Sequence, residues 1–467
     1  MECDKCGEKP ESICYHCGKK INNEILNKPG KVSILVTKGC NTQEELSYAY
    51  TPNVGKCVEA ISKDEKQLSR LTGYANKGAI ISDGTAILGY GDLGPKAATP
   101  VMEGKSVLFK VFGDVNMDPI VINEKYPQKI VDFVMALEPT YAGINLEDIS
   151  APRCFKIEEK LQKQYKGFIF HDDQHGTAVI SLAGILNALE ITGQKKEDVK
   201  VVINGAGAAA IASAKLYKKA GITNIMMLDR NGLIYKDRPF PTNKYKEEFA
   251  IELNGLTPEQ DKVNLKQTLK GANVFLGCSV GNLVTGDMVE NMAPNPIIIA
   301  MANPVPEILP DIAKKHGAKI VATGRSDFPN QINNVLGFPG IFRGALDAQI
   351  TKTTDEIKIA AAHALKDLAH KPVPEDIKKK YPRDNEKEIF EGQDPVKPDY
   401  IVPLALDPRV AVEVAAAVYK TAFKTGIATA KLPEGYNSIE EYMPEYKKQV
   451  ANRIKVQEQF RQTIKNQ

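Results

Sequence analysis

The 467-residue sequence has no apolar run long enough to span a bilayer, a crossing that takes about 20 consecutive apolar residues. The longest run, PIIIAMA from Pro296 to Ala302, reads as a buried strand. An excess of one charge is missing as well. The 61 basic and 58 acidic side chains leave a formal charge of +3, so there is no electrostatic case for nucleic acid. A secretory leader is not recognisable, because the opening MECDKCGEKP is charged and lacks an apolar core. A cytoplasmic protein without membrane association is expected. Cysteine is sparse after position 17: four of the eight lie up to it, and Cys40, Cys57, Cys154 and Cys278 are scattered. That pattern speaks against a secreted disulfide framework and predicts reduced thiols.

What is present is the composition of a soluble globular enzyme, 43% hydrophobic and 25% charged. The length argues for two large domains. Residues 1–20 form a cysteine-rich segment, and residues 21–167 mix helical patterns with short strands. Within them, AIISDGTAILGYGDLG (Ala79 to Gly94) predicts two strands around an Asp-Gly turn, a hairpin. QKIVDFVMALEP (Gln128 to Pro139) predicts a helix stopped by proline. From 168 to 430 strand-like runs alternate with helical ones: VKVVIN, NIMMLD, ANVFLGC, PIIIAMAN and AKIVATG. The alternation predicts an α/β fold with a Rossmann-like, doubly wound parallel sheet. The stretch from His370 to Tyr400 is rich in proline and charge and reads as an exposed excursion. Residues 431–467 predict a C-terminal helical segment whose stripe of Tyr446, Val450, Ile454 and Ile464 packs on the body or on a partner.

In VVINGAGAAAIASAKLYKKAG, Gly205, Gly207 and Ala210 form a G-x-G-x-x-A pattern between a strand and a helix. The first glycine permits a tight turn, and the second lets the backbone approach a pyrophosphate at the helix N-terminus. Asp229 ends the next strand, where a carboxylate bonds the adenine ribose of NAD. Arg230 follows at once and suits the 2′-phosphate of NADP, so the choice of coenzyme stays open.

In FIFHDDQHGTAVISLAGILNALE, His171 and His175 have the i, i+4 spacing of a zinc protease, but Asp172 follows the first histidine. Upstream, GINLEDISAP supplies Glu147 and Asp148. Together with Asp172 and Asp173, these carboxylates suit a hard Mg²⁺ or Mn²⁺ better than zinc. The alternative is that the two aspartates merely cap a helix. At the chain start, Cys3, Cys6, Cys14 and Cys17 form C-x₂-C-x₇-C-x₂-C, each pair followed by glycine. Four thiolates so spaced resemble a zinc-ribbon knuckle and predict a structural Zn²⁺. Free thiols or a redox pair are the competing readings.

Seven motifs, in order, resemble the malic enzymes, especially their short microbial form. They are AYTPNVG from Ala49, SDGTAILGYGDLGPKAATPVMEGK from Ser82, GINLEDI from Gly143, FHDDQHGTA from Phe170, INGAGAAA from Ile203, AMANPVPEI from Ala300 and NQINNVLGFPG from Asn330. The resemblance covers roughly residues 40–430, and the conjunction is far more specific than any one motif. It implies NAD(P)-linked oxidative decarboxylation of malate to pyruvate and CO₂ with Mg²⁺ or Mn²⁺, in a homodimer. It implies Glu147, Asp148 and Asp173 as metal ligands, Lys105 as general base, Asp172 beside it, and Tyr50 as general acid. Asn303 and Asn334 match substrate-contacting asparagines. His171 and His175 are left as supporting residues.

One position departs from the larger malic enzymes, where an arginine before LGYGDLG holds a substrate carboxylate. Here that position is Ala86, and Arg70, Arg153 and Arg343 are the candidates to replace it. The rival readings are a malolactic-type enzyme releasing lactate, a zinc-ribbon regulator on an inactive enzyme domain, and a decarboxylase of another hydroxy acid.

Overall fold

Short apolar runs whose residues are buried on both faces build two parallel sheets. The computed structural model describes residues 30–34, 36–87, 89–253, 257–258, 263–381, 390 and 396–465. The first sheet has the order β2-β1-β3-β4. Its strands are β1 (Lys77–Ser82), β2 (Asn116–Val121), β3 (Gly143–Leu146) and β4 (Phe168–His171). The second has the order β10-β9-β8-β5-β6-β7. It comprises β5 (Val201–Asn204), β6 (Ile225–Asp229), β7 (Gly232–Leu233), β8 (Val274–Gly277), β9 (Ile297–Ala300) and β10 (Ile320–Thr323). β7 runs antiparallel to β6, whereas the other pairs in this sheet are parallel. The five strand-like runs read from the sequence are β5, β6, β8, β9 and β10.

The hairpin expected from Ala79 to Gly94 does not form. β1 is flanked by parallel β2 and β3, pairing Ser82 with Val121 and Ile81 with Leu146. Ala79, Ile80 and Ile81 are fully buried, so both edges and both faces of β1 are taken by distant elements. After the Asp-Gly turn the chain loops back on itself instead of returning along β1. Gly84 has φ +66°, and a Cβ there would lie 2.3 Å from the Gly94 carbonyl, which closes this loop tightly. The Gly94 N–H donates to the Gly84 carbonyl at 3.0 Å. Helix α1 (Pro95–Gly113) then begins with proline in its first turn.

β4 pairs with β3, so the domain boundary expected at residue 168 falls inside the first sheet. Helix α2 (Asp172–Thr192) leaves the end of β4 and is buried along nearly its whole length. It packs against helix α3 (Ala208–Lys219) of the second sheet and so joins the two halves. The chain later returns to the first half: helix α4 (Phe338–Asp347) packs on α1, and helix α5 (Arg409–Lys424) packs on α4. The C-terminal helix α6 (Ile439–Lys465) lies on α5 and α1, burying Tyr446, Val450 and Ile454 as its stripe requires. The proline-rich excursion is anchored at its ends, where Ile377, Val396 and Tyr400 are buried. Among the described residues, no helix is long and apolar enough to cross a membrane. The zinc-knuckle cysteines Cys3, Cys6, Cys14 and Cys17 lie outside the described residues.

Candidate functional site

The carboxyl ends of both sheets open into one cleft of about 1080 Å³. Ligands of parallel α/β sheets bind at this edge because loops and helix N-termini converge there. The turn after β3 brings Glu147 and Asp148, and the start of α2 brings Asp173. One oxygen from each of these three carboxylates lies within 4.8 Å of the other two. Asp148 adopts φ +54°, and its carbonyl accepts the N–H groups of Thr85 and Ala86 at 3.1 and 2.9 Å. Its own N–H donates to Asp173 Oδ2 at 2.8 Å, tying the two aspartates together. Asn145 Nδ2 donates to Glu147 Oε2 at 2.8 Å. Asn145 lies two residues before Glu147 in sequence, with Leu146 between them.

Burial, followed by mutual repulsion, raises the Glu147, Asp148 and Asp173 carboxyls above their ordinary range, Asp148 to about 8. Asp148 Oδ2 is buried without a hydrogen-bond partner. Three crowded buried carboxylates are costly unless a cation sits among them, and an all-oxygen set suits a hard ion. The residues present therefore fit a divalent Mg²⁺ or Mn²⁺.

Lys105, on α1, reaches into the cleft beside this cluster. Its ammonium donates to Glu147 Oε1 at 3.0 Å and to Asp172 Oδ2. It also stands 4.2 Å from the centroid of the Phe338 ring, within cation–π range. Burial disfavours the charge on Lys105, but Asp172 and Glu147 outweigh it and hold the ammonium above its ordinary pKa. Asp172 is in turn held by Asn334, whose amide donates to both its carbonyl and its Oδ2.

Opposite this group, the β5–α3 turn presents Gly207 and Ala210 to the same cleft. Gly205 has φ +123°, and a Cβ there would meet the Cys278 carbonyl at 2.5 Å. That position thus admits only glycine, and the turn stays narrow enough for a phosphate to approach the backbone. Asn303, after β9, completes the wall with Asn334.

Residues 29–162 match the family described as malic enzyme, N-terminal domain, and residues 174–386 match malic enzyme, NAD binding domain. The bifunctional malic/malolactic enzyme of Bacillus subtilis is 45% identical over 420 residues, 90% of this chain and 94% of its own length. The NADP-dependent malic enzyme of Halomonas elongata is 45% identical over 411 residues, 87% of this chain and 94% of its own. The crystal structure of malic enzyme from Pyrococcus horikoshii aligns with a TM-score of 0.79 at 37% identity, covering 91% of this chain and 92% of that one.

This chain belongs to the malic enzyme family.

For a malic enzyme, the structure brings together Lys105, Asp172, Glu147, Asp148, Asp173, Asn303, Asn334, Gly207 and Ala210. It does not bring Tyr50 to them. Tyr50 is 68% exposed and lies outside the cleft lining. Asp229 does not offer a free carboxylate for a ribose. Arg238 donates to its two oxygens at 2.7 and 3.1 Å, and Lys246 donates at 2.7 Å. Burial opposes ionisation of Asp229, but these bonds prevail and hold it down at about 2. Arg230 beside it is exposed.

None of the three candidate arginines lines the cleft. Arg153 is held by Asp83 at 3.0 Å, Arg343 is buried against Asp347, and exposed Arg70 bonds Gln67. His175 accepts or donates one bond at 2.6 Å with buried Glu158, and His171 is fully buried 3.7 Å from Asp173. Phe338 and Glu158 carried no legible signal in the sequence, since an aromatic and an acid at helical positions are ordinarily packing and surface residues.

Proposed function

We propose that this chain oxidatively decarboxylates (S)-malate to pyruvate and CO₂ with reduction of NADP, as a cytoplasmic homodimer whose active site takes Tyr50 from the second copy. The observation that carries the reaction is the Lys105–Asp172 pair beside three clustered carboxylates, in one cleft with the dinucleotide turn. A divalent cation held by Glu147, Asp148 and Asp173 would supply Lewis-acid polarisation of the substrate's C2 oxygen, and the nicotinamide would supply the hydride acceptor.

Lys105 takes the proton of the C2 hydroxyl. It must be neutral to do so, and it loses part of its stabilisation as an ammonium once Glu147 is engaged elsewhere. Asp172 fixes the direction of the amine. Asn303 and Asn334 orient the substrate from the opposite wall. After CO₂ leaves, C3 of the product enol needs a proton, and Tyr50 donates it.

Tyr50 reaches a site only from a neighbouring copy on this reading. It follows the helix Gln43–Ala49 and precedes the helix Val54–Lys63, and neither helix buries a residue within the chain. Leu46, Tyr48, Tyr50 and Val58 are all exposed there. An apolar surface of this kind is suited to burial in a symmetric dimer. Mixing Tyr50→Phe with Lys105→Ala, each inactive alone, tests the arrangement. Heterodimers would carry one intact site, restoring about a quarter of wild-type activity after random exchange. No restoration would sink the shared site.

The preference for NADP rests on the charge around Asp229. Arg238 and Lys246 neutralise it and leave a net positive surface beside exposed Arg230, which favours a 2′-phosphate over a bare ribose. The cytoplasmic setting is supported by the four described cysteines, all of which are free thiols. A malolactic activity is the second reading, because one relative at 45% identity is a bifunctional malic/malolactic enzyme. Product analysis separates them: pyruvate with reduced coenzyme, or lactate without it.

A further inference from the structure

Malate carries two carboxylates, and the site needs a cation for the one retained in pyruvate. This inference rests on the malate reading above. Among the described residues that line the cleft, the cationic side chains are Lys31 and Lys105. Lys105 already spans Asp172 and Glu147. Arg153 and Arg343 are committed to Asp83 and Asp347, and exposed Arg70 lies off the cleft. Position 86, where the larger enzymes have an arginine, is alanine.

Lys31 is placed to fill the gap. Its backbone N–H donates to Glu103 Oε2 at 3.2 Å, and its ammonium donates to the Pro100 carbonyl at 2.7 Å. These two bonds pin the residue to the cleft-facing side of α1. The ammonium stands 3.7 Å from where a Cβ on Gly104 would lie, one residue from Lys105. An ammonium has three donors, and the Pro100 carbonyl takes one of them. The absence of a side chain at Gly104 leaves the remaining donors a path into the cleft.

We propose that Lys31 binds the C1 carboxylate of malate and takes the place of the missing arginine. The choice between the two carboxylates follows from the chemistry. The C4 carboxylate leaves as neutral CO₂, so a strong ion pair to it would stabilise the ground state more than the transition state and slow the reaction. The C1 carboxylate keeps its charge throughout, and a cation there binds substrate, transition state and pyruvate alike. Lys31 therefore contributes to affinity and to selection of dicarboxylates and leaves the chemical step alone.

The test is steady-state kinetics of the full-length enzyme with malate, Mn²⁺ and NADP, comparing wild type, Lys31→Gln and Lys31→Arg. Loss of one charge-assisted contact predicts a KM for malate raised roughly tenfold to a hundredfold in Lys31→Gln. The same variant should keep kcat and the KM for NADP within about threefold, because uniform binding is lost and transition-state binding is not. Competitive inhibition by pyruvate should weaken in parallel, and Lys31→Arg should restore most of the affinity. An unchanged KM for malate in Lys31→Gln overturns the assignment, as does a fall in kcat that Lys31→Arg fails to rescue. Absence of malate turnover in the wild type would overturn the reaction itself, and with it this role for Lys31.

Discussion

Asn334 donates its side-chain amide to the backbone carbonyl and to Oδ2 of Asp172, each at 3.2 Å, across 162 residues of sequence. The contact locks the lysine's partner from the far side of the cleft. It means that the orientation of Lys105 depends on a segment that follows the second sheet.

Replacing Asn334 by alanine frees Asp172 to rotate and leaves the Lys105 amine poorly aimed. Misplacement of a reacting group by about 1 Å costs on the order of 100-fold in rate. We expect kcat to drop by that order, while adding Asn334→Ala to Lys105→Ala costs little more. Independent, fully additive losses in the double variant would argue against this linkage.

The three carboxylates Glu147, Asp148 and Asp173 repel one another when no cation is bound. Asp148→Asn relieves that repulsion. Metal-stripped Asp148→Asn should melt at a higher temperature than metal-stripped wild type. Wild type should gain thermal stability on adding Mn²⁺, and the variant should gain little. Equal gains in both proteins would place the cation elsewhere.

Glu158 is buried, which alone would raise its pKa, but His175 and Lys358 hold the carboxyl down at about 2. The sign follows from linkage. A carboxyl with a depressed folded pKa stabilises the protein above its unfolded value and loses that contribution as pH falls through the folded one. The window runs from about pH 4.5 down to about 2. Wild type should exceed Glu158→Gln in stability at pH 6 by on the order of 2–3 kcal/mol, with the gap closing as pH falls towards 3. A gap independent of pH in denaturant unfolding would contradict this account.

Lys246 and Arg238 set the charge at the end of β6. Lys246→Ala should raise the KM for NADP by about tenfold or more and leave the KM for NAD nearly unchanged. Parallel changes with both coenzymes would show that the lysine supports Asp229 without meeting the 2′-phosphate.

Removal of residues 1–20 takes away the four-cysteine segment. The truncated protein should keep its malate turnover and lose one equivalent of bound zinc, read by elemental analysis. A folded truncation without turnover would make the segment part of the catalytic unit.

Much of this protein was legible along the chain. The period-free apolar runs at β5, β8 and β9 announce a parallel sheet because strands covered on both faces need no polar side. The G-x-G-x-x-A turn and the Glu147–Asp148 pair are local patterns, since the backbone that positions them is specified by the same few residues. The hairpin at Asp83-Gly84 fails for the complementary reason: a turn signal says where the chain bends, and whether the next strand pairs with the last depends on which other strands fill the edges of β1.

Sequence by itself determined the fold class, the dinucleotide turn and the set of carboxylates. Tertiary structure alone decided which charges meet. Lys105 and Asp172 lie 67 residues apart, and Asp229 draws its partners from 9 and 17 residues on. Whether an arginine is free to bind substrate is likewise a matter of what packs beside it, as Asp83 beside Arg153 and Asp347 beside Arg343 demonstrate. Pairing of buried charges is settled by the approach of distant elements, because the cost of an unpaired buried charge is paid only once the chain has closed around it.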